Sequence, residues 1–197
     1  MSQAILGGTF DPIHYGHLLI AEQAYNKFNL NDIIFMPAGF PPHKDYQHVS
    51  SPGDRLEMVK LAVKDNPHFS FSKFELKEDR VSYTVETLRY FQDKGYEQIR
   101  FIIGADSLLD MPNWREPEYL LTNACFIVAP RPTISIKEVL KKDFYREYLD
   151  HINVLQCPLI DISSSLIRRE IKNNRSVKYM TPEPVINYIR ENKLYQE

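Results

Sequence analysis

Apolar positions along this chain alternate between two periods. Short runs rich in β-branched and aromatic residues fall at Gln3–Leu6, Asp32–Met36, Phe69–Phe74, Ile99–Ile103, Ala124–Val128 and Asn153–Leu155, and each predicts a strand. Between them the spacing lengthens to that of a helix. Leu18, Ala21, Tyr25 and Phe28 recur at intervals of three and four, which gives one apolar face to lay on a sheet. Ser51-Pro52 ahead of Leu56, Val59 and Val63 reads as an N-cap, a first-turn proline and a core-facing stripe, and Val85 with Leu88 repeats the stripe on a shorter segment. Strand and helix in alternation predict an α/β fold with an open, mostly parallel sheet and right-handed crossovers.

At 197 residues the chain suits one domain, residues 1–197, with a small helical C-terminal part from about residue 158. The expected class is Rossmann-like. In such sheets ligands bind beyond the carboxyl ends of the strands, and Gly7-Gly8, Gly104-Ala105-Asp106 and Pro130-Arg131 all follow predicted strands. The proline-rich stretch Pro37 to Pro52 is the longest interruption and a candidate lid.

Charge narrows the partners. With 24 Lys+Arg against 26 Asp+Glu and no basic run, the chain lacks a nucleic-acid footprint, and small phosphorylated ligands fit it better. Cys125 and Cys157 form no CxxC pair and have no metal-type spacing around them, so they are expected as reduced thiols. The N-terminal run has no basic lead and meets glycine within seven residues, unlike a signal peptide or a membrane span. A cytoplasmic protein without a membrane partner is expected, and a homo-oligomer is compatible with all of this.

Two stretches carry the chemistry. Gly7-Gly8-Thr9-Phe10-Asp11-Pro12 follows the first strand and leads to His14-Tyr15-Gly16-His17, placing two histidines at a helix start where backbone N–H groups and the helix dipole favour anions. Ile162-Ser163-Ser164-Ser165-Leu166-Ile167-Arg168-Arg169 offers N-caps, hydroxyls and guanidinium forks within two turns. With only seven glycines, three of them before residue 17, neither the Walker A pattern nor GxGxxG can be written anywhere in the chain. Each feature also has a plainer reading. The histidines alone would be surface residues or two zinc ligands, the serines a helix cap, Trp114 a core anchor, Lys44 and Arg131 solvated charges, and Tyr83 with Thr84 a helix start capped by Ser82.

The strand, glycine turn and HxGH together resemble the nucleotidylyltransferase superfamily, and most of all the bacterial nicotinate-nucleotide adenylyltransferases. That family pairs HxGH with an ISSTxIR-like motif, here with Ser165 in place of threonine, which keeps the hydroxyl. Similarity extends to Pro41-Pro42-His43-Lys44, Ser82-Tyr83-Thr84, Gly104-Ala105-Asp106-Ser107-Leu108, Trp114, Pro130-Arg131 and the ending Tyr188-Ile189 to Leu194-Tyr195. The resemblance implies attack of the nicotinate mononucleotide phosphate on the α-phosphorus of ATP, releasing pyrophosphate. It implies His17, His14 and Arg168 as catalytic residues. ATP would lie along Gly7, Gly8, Thr9, Phe10, Asp11, His14, Gly16 and His17, with Gly104 and Asp106 near the adenosine and Ile162, Ser163, Ser164 and Arg168 near the outer phosphates. Lys44, Tyr83, Thr84, Trp114 and Arg131 would take the mononucleotide, and Mg²⁺ would arrive with ATP, with no metal site made by protein ligands.

Two other readings share these residues: a sibling such as a phosphopantetheine adenylyltransferase, and a non-catalytic nucleotide sensor. A divalent-metal hydrolase built on His14, His17 and Asp11 comes third.

Overall fold

The computed structural model describes residues 2–39, 49–76, 82–96 and 98–196. Lys44, the Pro41–Lys44 motif and most of the candidate lid therefore lie outside the described residues. Within them, six parallel strands form one sheet in the order β3-β2-β1-β4-β5-β6: β1 (Gln3–Gly8), β2 (Asp32–Pro37), β3 (Phe69–Phe71), β4 (Ile99–Gly104), β5 (Cys125–Ala129) and β6 (Ile152–Val154). The sheet is parallel at every pairing described, where a mostly parallel one was expected.

Alternation along the strands divides the core into two layers. Ile5, Ile34, Met36, Phe101, Phe126 and Val128 face one cluster, while Ala4, Leu6, Ile33, Phe35, Ile102 and Ile127 face the other. A parallel sheet needs both faces covered, and helices supply the cover. α3 (Thr84–Asp93), α4 (Ala105–Asp110), α5 (Pro117–Asn123) and α6 (Ile136–Leu140) contribute to the first layer; α1 (Tyr15–Lys27), α2 (Pro52–Val63) and α8 (Glu183–Glu191) contribute to the second. α7 (Ser164–Lys172) packs Ile167 with Val177 and Ile186 in a smaller satellite cluster. No helix among the described residues is long and apolar enough to cross a membrane.

Three local expectations change. β3 ends at Phe71 rather than Phe74, because the Ser72 Oγ accepts the Phe74 N–H at 3.2 Å and turns the chain into a 3-10 segment, Phe74–Leu76. In α2 the fully buried positions are Arg55, Met58, Val59 and Val63, so an arginine begins the stripe and Leu56 is only half-buried. Ser82 does not cap α3: Tyr83 is the N-cap residue, and the Ser82 hydroxyl instead accepts the Gly39 N–H at 3.1 Å and donates to the Glu75 carbonyl at 3.2 Å.

Chain order places the functional end. The path runs outward from β1 through β2 to β3, then returns to the other side of β1 at β4. At that reversal the helices after β1 and β4 leave on opposite faces, opening a crevice between Gly8 and Gly104.

Candidate active site

The turn after β1 is tightly determined. Phe10 adopts a left-handed backbone (φ 51°), is 2% exposed and sets its ring edge-on to His17 at 5.0 Å between centroids. Gly8 accommodates that ring, since a Cβ there would lie 3.1 Å from it. Beneath the turn, the guanidinium of Arg55 donates to four carbonyls: Ser50 at 3.1 Å, Thr9 at 2.9 Å, Ala38 at 2.6 Å and Gly39 at 2.9 Å. Arg55 is 1% exposed; burial lowers its pKa and the Asp11 carboxylate partly opposes that. It thus ties together the chain leaving β1, the chain leaving β2 and the entrance to α2.

His14 is the N-cap of α1, one residue before the helix expected to contain it. Its ring stacks on His17 at 3.7 Å with 22° between planes. A Cβ on Gly16 would sit 3.0 Å from the His14 ring, so this glycine makes room first for the histidine. The helix start is less open than its sequence suggests. The Tyr15 N–H is taken by the Met180 carbonyl at 3.0 Å, and the His14 N–H points to His17 Nδ1 at 3.3 Å. What remains unsatisfied is a side chain: among the described residues, His14 Nδ1 is buried with no hydrogen-bond partner. Burial, aided by the positive charge of Arg131, lowers its pKa from 6.5 to about 4, so the imidazole is neutral at pH 7.

His14, Gly16 and His17 form one wall of a cavity of about 370 Å³. Asp106, Arg131 and Ile162 stand in its other walls, with Pro132–Ile134 and Cys157–Asp161 completing them. A second cavity, of about 550 Å³, is lined by Tyr83, Thr84 and Trp114 together with Asp106. Asp106 borders both. Its carboxylate accepts from Arg131 Nε at 3.2 Å, an exposed pair of small energetic value that leaves both groups able to exchange partners. Arg131, grouped by the sequence with the second set of residues, lines the first cavity instead.

The serine-arginine stretch clasps the turn from below. Ser163 caps α7 by accepting the Leu166 N–H at 3.1 Å, and Ser164 Oγ donates to the Pro12 carbonyl at 2.9 Å. Arg168 Nη1 donates to the Asp11 carbonyl at 2.7 Å, and its Nη2 lies 3.4 Å from Ser165 Oγ. Neither Ser163, Ser164 nor Arg168 borders the first cavity as described; Ile162 does. Gly7 and Gly8 end β1 and Gly104 ends β4, and none of the three lines that cavity. The Asp11 carboxylate is held by Tyr195 and Ser50 rather than turned to the histidines, and no three His, Cys, Asp or Glu side chains converge among the described residues.

Several participants escape sequence reasoning. Ser107, Asp110, Asn113 and Arg115 line the second cavity, and Arg115 lies 4.9 Å over the Tyr83 ring while pairing with Glu86 at 3.2 Å. Thr181 donates to the Ile13 carbonyl at 2.7 Å from a position far along the chain. Ser107 carried a signal within the family-like run Gly104 to Leu108, and Arg55 carried one in its helical register with Met58 and Val59, which its charge concealed.

The sequence pattern of the cytidylyltransferase-like family matches residues 5–170, from β1 into α7. A Clostridium botulinum protein named probable nicotinate-nucleotide adenylyltransferase is 44% identical over 195 residues, covering 98% of this chain and 97% of its own. One of the same name from Caldicellulosiruptor bescii is 41% identical over 198 residues and covers 100% of both chains. Among solved structures, the nicotinic acid mononucleotide adenylyltransferase of Plasmodium falciparum, complexed with NaAD, has a TM-score of 0.82 at 20% identity, over 98% of this chain and 97% of that one. That last likeness is one of fold. With relatives aligned from end to end at this identity, the chain belongs to the cytidylyltransferase-like family and, within it, to the nicotinate-nucleotide adenylyltransferases.

Proposed function

We propose that the protein transfers the adenylyl group of ATP to nicotinate mononucleotide, forming the deamido dinucleotide and pyrophosphate. The observation that carries the reading is the pair of cavities sharing Asp106: one lined by two histidines and an arginine, the other by Trp114, Tyr83 and Thr84. A triphosphate in the first and a pyridine ring in the second would bring the acceptor phosphate to the donor across that boundary. The nucleophile is an oxygen of the acceptor phosphate. It bonds to the α-phosphorus as the bond to the bridging oxygen of pyrophosphate breaks, so the protein needs to position and to neutralise rather than to form a covalent bond.

His17 donates to the α-phosphate as charge accumulates there. The neutral His14 lines the same cavity, and its ring edge is the candidate donor to a phosphate oxygen there. Arg131 steadies phosphate charge on the opposite wall, and Arg168 with the N-terminus of α7 holds the outer phosphates. The donors near these phosphates are cationic or neutral, and the Asp11 carboxylate is held by Tyr195, which suits a Mg²⁺ that would enter on ATP and be held mainly by phosphate and water. It would reduce repulsion between nucleotide and acceptor. On the acceptor side, Trp114 gives a face for the ring, and Tyr83 and Thr84 lie at the start of α3 beside it. Lys44 is a further candidate for the acceptor phosphate. We also assign the enzyme to the cytosol, where the unpaired Cys125 and Cys157 would stay reduced.

Pyrophosphate release from Mg-ATP, measured with nicotinate mononucleotide, its amide and phosphopantetheine, tests the reading. Turnover with the pyridine acid is expected. Release with phosphopantetheine alone would move the chain to the sibling activity, and release with none would leave a nucleotide sensor.

A further inference from the structure

Asp11 is where segments remote in sequence meet. Asp11 is 2% exposed. Tyr195, near the end of the chain, donates its hydroxyl to Oδ1 at 2.6 Å. The Ser50 N–H lies 3.4 Å from Oδ2, and Arg168 Nη1 stands 3.8 Å from that oxygen while donating to the Asp11 carbonyl. Arg55 adds a buried positive charge nearby.

We propose that Tyr195 is a positioning residue for nucleotide transfer: by holding Oδ1 of Asp11, its hydroxyl keeps the carboxylate from closing on Arg168 and leaves that guanidinium available to phosphate. A buried carboxylate beside a guanidinium otherwise tends towards a close two-point pair, which would occupy both arms of the fork. Here the two oxygens are divided. One is committed to Tyr195, and the other stays 3.8 Å from Arg168, longer than a hydrogen bond. Among the described residues the second arm of Arg168 has only the 3.4 Å contact with Ser165, and about a third of the side chain (32%) is exposed beside the turn. The Tyr195 hydroxyl is suited to the task because burial, and then the Asp11 charge, push its pKa upward and keep it a donor. Two residues of this terminal segment, Lys193 and Tyr195, have left-handed backbones (φ 54° and 65°), and Leu194 between them packs on the second core layer. The tail is thus folded to deliver one hydroxyl.

This inference rests on Arg168 contacting ATP, and the test separates the two. In the full-length enzyme Tyr195→Phe is expected to raise the KM for ATP about five- to twentyfold, from loss of one hydrogen bond to a charged group, with the mononucleotide KM unchanged. Tyr188→Phe is the control. It removes a comparable bond to Asp54 (2.8 Å) between α8 and α2, and should leave the KM for ATP as it was. In an Arg168→Ala background, Tyr195→Phe should add less than about a twofold change. If Arg168→Ala does not weaken ATP, the phosphate reading itself fails. If it does, but Tyr195→Phe acts additively, lowers kcat alone, changes nothing, or prevents folding, Tyr195 is structural and the inference is overturned.

Discussion

The wall that carries His14 and His17 is a largely buried turn, whereas the wall that carries Tyr83, Thr84 and Trp114 is made of half-exposed side chains at the start of α3 and the close of a 3-10 turn. Arg55, Asp11, Ser164 and Thr181 fix the first through bonds to backbone carbonyls or between side chains that water scarcely reaches. Arg115, Glu86, Arg89 and Glu116 brace the second through ion pairs open to solvent. Pre-organisation matters most where charge develops during reaction, because donors that must reorient lose part of their benefit. The acceptor side has to recognise a ring and a phosphate, and needs less rigidity.

That contrast breaks most visibly at Arg55. Arg55→Met keeps most of the volume but leaves four carbonyls and the Asp11 carboxylate without their cation, so urea unfolding should show a loss of about 3–5 kcal/mol. Arg115→Met, on the exposed brace, should cost less than about 1 kcal/mol. Equal losses would mean the two walls are held alike. Next in size, His17→Ala should reduce kcat on the order of a hundredfold or more with little change in the KM for ATP, as expected when a transition-state donor is removed. A rise in that KM at constant kcat would make His17 a ground-state contact. Smaller again, Trp114→Ala should raise the mononucleotide KM about tenfold, in the range of an aromatic stacking contact, and leave ATP unaffected. An unchanged mononucleotide KM would remove the ring from the site.

How much of this could be read beforehand follows from how local each cause is. The glycine turn, the HxGH helix start and the serine cap of α7 are set by neighbours within a few residues, and their patterns announce them. Strand positions were legible because burial on both faces selects continuous apolar runs; the error at Phe74 arose because a serine side chain, invisible to periodicity, ends β3. Arg55 was hidden by a rule that holds nearly everywhere, that the buried stripe of a helix is apolar. The bond from Tyr195 to Asp11 spans 184 positions, and the placement of Arg131 in the first cavity depends on side chains brought together from the segments after β1, β4 and β5. Neither leaves a trace in local spacing.

The smallest expected effect sharpens the comparison by its sign. His14, with its pKa lowered from 6.5 to about 4, binds a proton more readily in the unfolded chain over that interval, so its contribution to stability grows as pH rises from about 4 to 6.5. Glu75 lies behind the acceptor wall, accepts from Thr87 Oγ1 at 2.6 Å, and has its pKa raised from 4.5 to about 7, chiefly by burial. It holds its proton better when folded, so its contribution is present at low pH and is lost as pH rises from 4.5 to about 7. Over the shared interval the two oppose each other, and the wild-type protein should show a shallow pH dependence. His14→Gln exposes the Glu75 slope, with stability falling as pH rises. Glu75→Gln exposes the other, with stability rising, each limited to about 1.4 kcal/mol per pH unit for a single proton. Urea unfolding of both variants from pH 4 to 7 at fixed ionic strength measures this. Slopes of the same sign would show that the two walls do not differ in protonation as their burial implies. Saturating Mg-ATP should flatten the His14 limb alone, because a phosphate beside that imidazole favours its charged form in the folded state and narrows the gap to the unfolded one.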